Sequence, residues 1–220
     1  MLPVRLLYPL VSADVALFSV DQGKLKVLLV QRAQEPQAQL WALPGAVLKP
    51  DLDADLQATA CRALEEKIRV TAPYLAQVGA FSGMHRDPRG WSVSALFYAL
   101  LPSDQLNAVV HNRVEAVQWV DADEPGYPLA FDHDAQLQAA LQVLRDKVER
   151  HALPLHLLGK RFTLTALQRT CEAVLGRPLD KSVFRRRLKT CDDLVALFDE
   201  FAVGSQRPAQ FYGAREGFVF

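Results

Sequence analysis

Cysteine is scarce in this chain, with Cys61, Cys171 and Cys191 the only three among 220 residues. An odd number without close pairing excludes a disulfide framework and the paired spacing of a zinc site. Reduced thiols, a cytoplasmic home and no bound metal are expected. Net charge is missing as well, because 25 Lys and Arg balance 25 Asp and Glu. No apolar run reaches the ~20 residues of a membrane span, so no membrane partner is expected. Pro3, Arg5, Pro9 and Asp14 interrupt the apolar start, which leaves no signal-peptide core. Low-complexity tracts and internal repeats are lacking too, which argues against disorder and solenoids. What remains is a globular composition, half hydrophobic, with room for one large or two modest domains.

The zero net charge hides an asymmetry. Residues 1–152 hold 14 basic and 18 acidic residues, whereas residues 153–220 hold 11 basic and 7 acidic. A basic second half suggests a part that faces nucleic acid. The local patterns divide the chain at the same place. Val11 to Val20 and Lys24 to Arg32 read as strands joined by a hairpin turn around Asp21-Gln22-Gly23. A helix is expected over 54–68, strands near 74–82, 91–101 and 115–120, and a long helix over 132–150. His151-Ala152-Leu153-Pro154 reads as a linker. Beyond it, Thr163 can cap a helix ending at Gly176, and Asp180 can cap a second helix over 181–191. Val195 to Val203 and Pro208 to Phe220 alternate as strands. Helix, turn, helix and two strands make a winged helix-turn-helix.

The second of those helices is strongly cationic. Of nine residues from Lys181 to Lys189, five are cations and none is acidic. At 100° per residue, Phe184, Leu188 and Cys191 share one side, which must pack. Ser182, Arg185, Arg186 and Lys189 take the other, flanked by Lys181 and Arg187. A solubilising face normally mixes signs. Guanidinium groups on a projecting helix suit phosphates and guanine edges instead. Arg207, in the turn between the two strands, adds a cation where a wing would reach DNA. A double-stranded operator is therefore the expected partner, and no exposed aromatic pattern points to RNA.

Two motifs carry the chemistry of the first half. Trp41-Ala42-Leu43-Pro44-Gly45 precedes a helix reading Arg62-Ala63-Leu64-Glu65-Glu66-Lys67-Ile68-Arg69-Val70. This stretch resembles the Nudix box, Gly-x5-Glu-x7-Arg-Glu-Leu-x-Glu-Glu-x-Gly, whose helix holds Mg²⁺ against a diphosphate. The resemblance implies metal-binding positions at 63, 66 and 67, a spacing that lies on one helical face. Ala63 has no ligand atom, Lys67 is a cation, and only Glu66 survives, as a vestige. Asp51, Asp53 or Asp55 could stand in for the missing upstream glutamate. Arg69 replaces the glycine that ends the family's helix, so a differently shaped end is expected. Hydrolysis is not expected, although a nucleotide pocket is.

The second motif, His85-Arg86-Asp87-Pro88-Arg89-Gly90-Trp91, is turn chemistry between two strands. Its arginines and tryptophan could hold a diphosphate and stack on a base. Arg86 to Ser94 resembles the corresponding segment of the Nudix-related transcriptional regulators of bacterial NAD metabolism. Similar too are Leu129-Ala130-Phe131-Asp132-His133, Phe162 to Gln168 and Leu179 to Arg186, in that order. The resemblance implies a homodimer, with an ADP-ribose-sensing Nudix domain over 1–152 and a winged helix over 153–220. The expected fold is α+β, a Nudix-type α/β/α sandwich followed by the winged helix domain.

The expected function is a repressor of NAD synthesis or salvage genes, with ADP-ribose or a related nucleotide diphosphate as effector rather than cofactor. Arg32, Trp41, Arg86, Asp87, Arg89 and Trp91 are the candidate ligand contacts. Lys181, Ser182, Arg185, Arg186, Arg187, Lys189 and Arg207 are the candidate DNA contacts. An active Nudix pyrophosphatase with an added DNA-binding domain, a regulator of sugar catabolism and a protein-binding module are the alternatives.

Overall fold

The computed structural model describes residues 8–108, 116–150, 152–189, 191–202 and 209–220. Its first element, β1 (Leu10–Asp21), is buried on both faces through most of its length. It turns through Gln22 and Gly23 into β2 (Lys24–Gln31), with Asp21 paired to Lys24. Both turn residues have positive φ, 48° and 76°. That is the type I′ geometry, whose twist matches the strands it joins.

Among the described residues, seven strands form one mixed sheet. Besides β1 and β2 it contains β3 (Trp41–Ala42), β4 (Gly45–Val47), β5 (Tyr74–Gly83), β6 (Ser92–Leu100) and β7 (Val117–Asp121). The path runs β3-β2-β1-β6-β5, with β4 beside β1 and β7 beside β2. β1 and β6 pair in parallel, from Leu10 opposite Ser92 to Phe18 opposite Leu100.

One helix covers each face. α1 (Leu56–Ile68) sets Ala60, Leu64 and Ile68 against Ala13, Val15 and Leu17. α2 (His133–Glu149) sets Leu137, Leu141, Leu144 and Val148 against Ala16, Phe18, Leu96 and Tyr98. Each fully buried Leu stabilises by roughly 1.5–3 kcal/mol. Together they make the expected α/β/α sandwich.

The capping pattern follows the sequence at one end of α1 and departs from it at the other. Asp55 accepts from Ala58 N at 2.7 Å and starts the helix. Arg69 ends it in the left-handed conformation, φ 53° and ψ 41°, with its N–H bonded to Glu65 O. The expected change of shape does not occur. The arginine takes the glycine's backbone geometry despite a cost on the order of 1–2 kcal/mol, because Ile68 and Val70 are buried on either side and hold it there.

The C-terminal segment forms α3 (Leu164–Leu175), α4 (Lys181–Leu188) and a three-stranded sheet of β8 (Phe162–Thr163), β10 (Ala209–Ala214) and β9 (Leu194–Ala202). Thr163 caps α3 by accepting from Ala166 N, and Gly176 closes it at φ 66°. Asp180 caps α4 by accepting from Val183 N at 2.7 Å. α4 is shorter than the expected 181–191. The last strand also stops early, at Ala214, and the chain beyond it turns back to bury Phe220 against the first half. One continuous apolar cluster joins Leu144 and Val148 of α2 to Leu167, Cys171 and Val174 of α3 and to Phe184 of α4.

Candidate ligand pocket and nucleic-acid interface

A charged site gathers at one end of the large sheet. Asp14 enters from β1 as a buried carboxylate opposite Gly45 of β4. A Cβ at Gly45 would lie 2.0 Å from Asp14 Oδ1, so glycine here serves close approach rather than backbone freedom. Asp14 Oδ2 accepts from Ser94 Oγ of β6 at 2.5 Å and from Gln136 Nε2 of α2 at 3.2 Å. His133 Nε2 lies 3.6 Å from the same oxygen. His133 Nδ1 accepts from Leu43 N at 2.9 Å, which leaves the proton of the neutral ring on Nε2. Burial pushes the imidazole below its ordinary pKa of 6.5, against the pull of Asp14.

Three cations surround this carboxylate. Arg32 extends from the end of β2, donates Nε to Pro36 O at 3.0 Å, and lays its guanidinium 4.6 Å from the centre of the Phe131 ring. Burial, then repulsion from Arg89, lowers the Arg32 pKa. Lys67, one turn beyond buried Ala63, feels Arg32, Asp14 and Glu66. Burial first, then Arg32, pulls its ammonium below the ordinary lysine value. Arg89, half exposed, also feels Asp14. An anion entering here would relieve the repulsion among the three.

Asp53, Asp55 and Glu66, among the acidic candidates of the box, are already engaged. Asp53 is nearly buried and accepts from Arg62 Nε and Nη2, both at 2.7 Å, and from Thr59 Oγ1. Those Arg62 bonds hold its carboxyl well below the ordinary range. Asp55 is the helix cap, and Asp51 stays exposed. Glu66 accepts from Arg62 Nη1 at 3.4 Å and lies 3.8 Å from Lys49 Nζ. An apolar cavity of about 350 Å³ bounded by Cys61, Leu64, Val70 and Leu75 contains none of the three pocket cations.

The expected ligand residues divide into two groups. Arg32 feels Arg89, and both feel Asp14. Arg86 is instead clamped inside the protein, donating Nε and Nη2 to Asp132 at 2.9 and 2.8 Å and Nη1 to Ser92 Oγ at 3.1 Å. Asp87 is buried and closes its own turn, accepting from Arg89 N and the Arg89 guanidinium. Both residues have their polar atoms on protein partners in this structure. Trp41 stacks at a tilt on Tyr127, 5.3 Å between centroids. Trp91 leaves its ring 46% exposed.

Sequence reasoning missed Asp14 and Gln136 as site residues, and it quoted Ser94, Asp132 and His133 only within motifs. Asp14 carried a signal, as the lone acid in the apolar run Val11 to Val20.

On the cationic helix, Phe184 and Leu188 are buried as expected. Lys181, Ser182, Arg186 and Lys189 are exposed, and Ser182, Arg186 and Lys189 form an i, i+4, i+7 stripe. Arg185 is half-buried with Nη2 3.4 Å from Thr165 Oγ1 of α3. Arg187 departs from expectation. It is half-buried and turned toward Cys171, Cys191 and Glu149, where burial lowers its pKa. The α3–α4 turn is tied by Gln168, which donates to Leu179 O at 3.0 Å, and by Glu172, which accepts from Leu179 N at 2.9 Å. Arg207 lies outside the described residues.

A Nudix-type sandwich with a cluster of cations around a buried carboxylate, packed on a winged helix with an exposed basic stripe, defines a class of ligand-sensing DNA-binding proteins. Comparison with known proteins agrees. A NUDIX domain model matches residues 9–141, and the NrtR DNA-binding winged helix domain matches residues 154–213. The chain belongs to the family of Nudix-domain regulators that carry the NrtR winged helix. It is 42% identical over 205 residues to the ADPR responsive transcriptional repressor NtrR of Acinetobacter baylyi, covering 93% of this chain and 81% of that one. NrtR of Shewanella oneidensis, solved with a 27mer DNA, superposes with a TM-score of 0.81 at 34% identity, over 93% of both chains. The NUDIX domain of the Shewanella protein, solved with ADP ribose, matches 64% of this chain and 92% of that one, with a TM-score of 0.59 and 36% identity.

Proposed function

We propose that this chain is a DNA-binding transcriptional repressor whose Nudix domain senses ADP-ribose, or a related nucleotide diphosphate, without hydrolysing it. The carrying observation is the box itself. Of positions 63, 66 and 67, one is a buried alanine, one a half-buried lysine that feels Arg32 and Asp14, and one a glutamate engaged with Arg62 and Lys49. Mg²⁺ needs oxygen ligands in near-octahedral geometry. This donor set does not fit it. Lys67, Arg32 and Arg89 instead offer positive charge to a diphosphate, and Glu66, the one carboxylate at the three metal positions, is engaged with Arg62 and Lys49.

Within this reading Arg32 and Arg89 contact the diphosphate, and Trp91 or Trp41 stacks on the base. Arg86 and Asp87 hold the loop that carries Arg89. Lys181, Ser182, Arg185, Arg186 and Lys189 meet the operator, with Arg207 on the wing and Arg187 as a support for α4. The sensing domain spans 1–152 and the reading domain 153–220. The chain acts in the cytoplasm as a homodimer on genes of NAD metabolism. The named activities of the Acinetobacter and Shewanella relatives support this reading, as does the absence, among the described residues, of a helix long and apolar enough to cross a membrane.

Calorimetry with ADP-ribose, with and without Mg²⁺, combined with a turnover assay, tests the proposal. Binding that is indifferent to the metal, with negligible product, is the expected result. Turnover at the rate of an ordinary Nudix enzyme, abolished by Glu66→Gln, would overturn it.

A further inference from the structure

α2 belongs to both halves of the molecule. Its first turn is built into the pocket. Asp132, at its N-cap, makes no capping bond, because its carboxylate accepts from Arg86 and from Gln136 Nε2. Gln136 also reaches Asp14, and His133 accepts from Leu43 N. The last turns of the same helix hold the winged helix. Arg145 donates Nε to Val174 O at the end of α3 at 2.9 Å, and its Nη2 binds both oxygens of Asp123 at 2.7 and 2.8 Å. Glu149 pairs with Arg177, in the α3–α4 turn.

Lys147 makes a second grip, on the segment after β10. Its ammonium donates to Tyr74 Oη at 2.9 Å and to Phe220 O at 3.0 Å. It lies 5.0, 5.4 and 5.7 Å from the ring centres of Phe220, Tyr74 and Tyr98. Tyr74 also donates to Phe220 O at 2.7 Å, and His156 is sandwiched between Tyr74 and Phe218. Residues 214–220 lie beyond the winged helix match, which ends at 213. The contact therefore lies outside the part that the winged helix model matches.

We propose that α2 is the rigid link through which occupancy of the pocket repositions the winged helix, with Arg145 and Lys147 as the positioning residues at its far end. The inference rests on the reading of the pocket as an effector site. An α-helix advances 1.5 Å per residue, so the two ends of this link lie ~20 Å apart along one stiff element. A diphosphate drawn in by Arg32, Lys67 and Arg89 competes with Asp14 for their charge. Asp14 is bonded to Gln136, and the loop carrying Arg89 is bonded to Asp132 through Arg86. Both paths end on the first turn of α2. Leu144 and Val148 pack in one cluster with Leu167 and Val174, so a shift of the helix must carry α3 or break these contacts. Neither Arg145 nor Lys147 belongs to the effector pocket or the DNA face, so their loss separates coupling from binding.

The test uses the full chain, ADP-ribose, and an operator duplex selected in vitro with the wild-type protein. Operator affinity is titrated by fluorescence anisotropy with and without saturating ADP-ribose. The measurement is made for wild type, for Arg145→Gln and for Lys147→Gln, and the affinity of each for ADP-ribose is measured by calorimetry. Coupling between two sites is typically 5- to 150-fold, so a wild-type ratio of roughly that size is expected. In each variant the ratio should fall below about 2-fold while ADP-ribose affinity stays within about 3-fold of wild type. Arg177→Gln, at the exposed partner of Glu149 in the α3–α4 turn, provides the same test if a substitution within α2 disturbs folding. A wild-type ratio retained by all the variants overturns the link while leaving the effector reading intact. A ratio of one in the wild type overturns the effector reading itself.

Discussion

Replacing Lys67 should separate electrostatic holding of a diphosphate from metal chemistry. The ammonium is half-buried and stands near Arg32, Asp14 and Glu66. A unit charge pair at ~4 Å is worth about 1 kcal/mol in water and about 4 kcal/mol at an effective dielectric of ~20. The partly exposed site lies between these limits, and a charge-assisted hydrogen bond is worth roughly 1.5–3 kcal/mol. Lys67→Met should therefore weaken ADP-ribose by about 10- to 150-fold at constant salt. The free chain should become slightly more stable, because a desolvated cation repelled by Arg32 is removed. Lys67→Glu should bind worse still without metal, and Mg²⁺ should recover part of the loss, since Glu66 and the new carboxylate then share one helical face. Isothermal titration with and without Mg²⁺ reads all three outcomes. If Lys67→Met binds ADP-ribose as tightly as wild type, Lys67 does not stand in for the metal and the account of the pocket is wrong.

Gly45→Ala places a methyl against Asp14 Oδ1 and Ala13 O, and should lower stability by about 1–3 kcal/mol in urea denaturation, with no loss meaning that the pocket floor is looser than described. His133 and His156 both have pKa values pushed below 6.5, chiefly by burial. The unfolded chain thus binds more protons, so stability should rise with pH through the acid side of 6.5 and level off above it. His133→Gln should flatten part of that slope, and denaturation midpoints from pH 5 to 8 measure it; an unchanged slope refutes the assignment. On α4, Arg186→Ala should cost roughly 1–3 kcal/mol of operator affinity if Arg186 reads a base. Lys181→Ala should weaken all duplexes alike and reduce the salt slope by about one unit. Titrations of operator and random duplexes at several salt concentrations distinguish these, and a triple variant Arg185→Ala, Arg186→Ala, Lys189→Ala that binds like wild type would remove α4 from the interface.

Local signals in the chain were readable because local physics decides them. The Gln22-Gly23 turn, the Asp55, Thr163 and Asp180 caps and the apolar stripes of α1, α2 and α3 all appear where propensity and periodicity place them. The site was less legible. Asp14 meets Ser94 and Gln136 across 80 and 122 residues, which requires the parallel β1–β6 pairing that no local pattern announces. The partner of Arg86 could not be read from its neighbours, since Asp132 lies 46 residues away. Arg69 adopts its left-handed geometry because packing on both sides outweighs residue preference. Arg187 follows helix geometry, but it is half-buried and feels Cys171 and Cys191. The tail after Ala214 alternates like a strand, yet Phe220 finds its partner in Lys147 and Tyr74.

The central claim, that one chain senses a nucleotide diphosphate and reads DNA, meets its most direct test in a single titration. The full-length protein is titrated into a fluorescent operator duplex at fixed salt, with and without saturating ADP-ribose. The account predicts two binding curves displaced by roughly 5-fold or more, with ADP-ribose recovered intact from the mixture. Superimposed curves, from protein that calorimetry shows to be fully occupied by ADP-ribose, would contradict it.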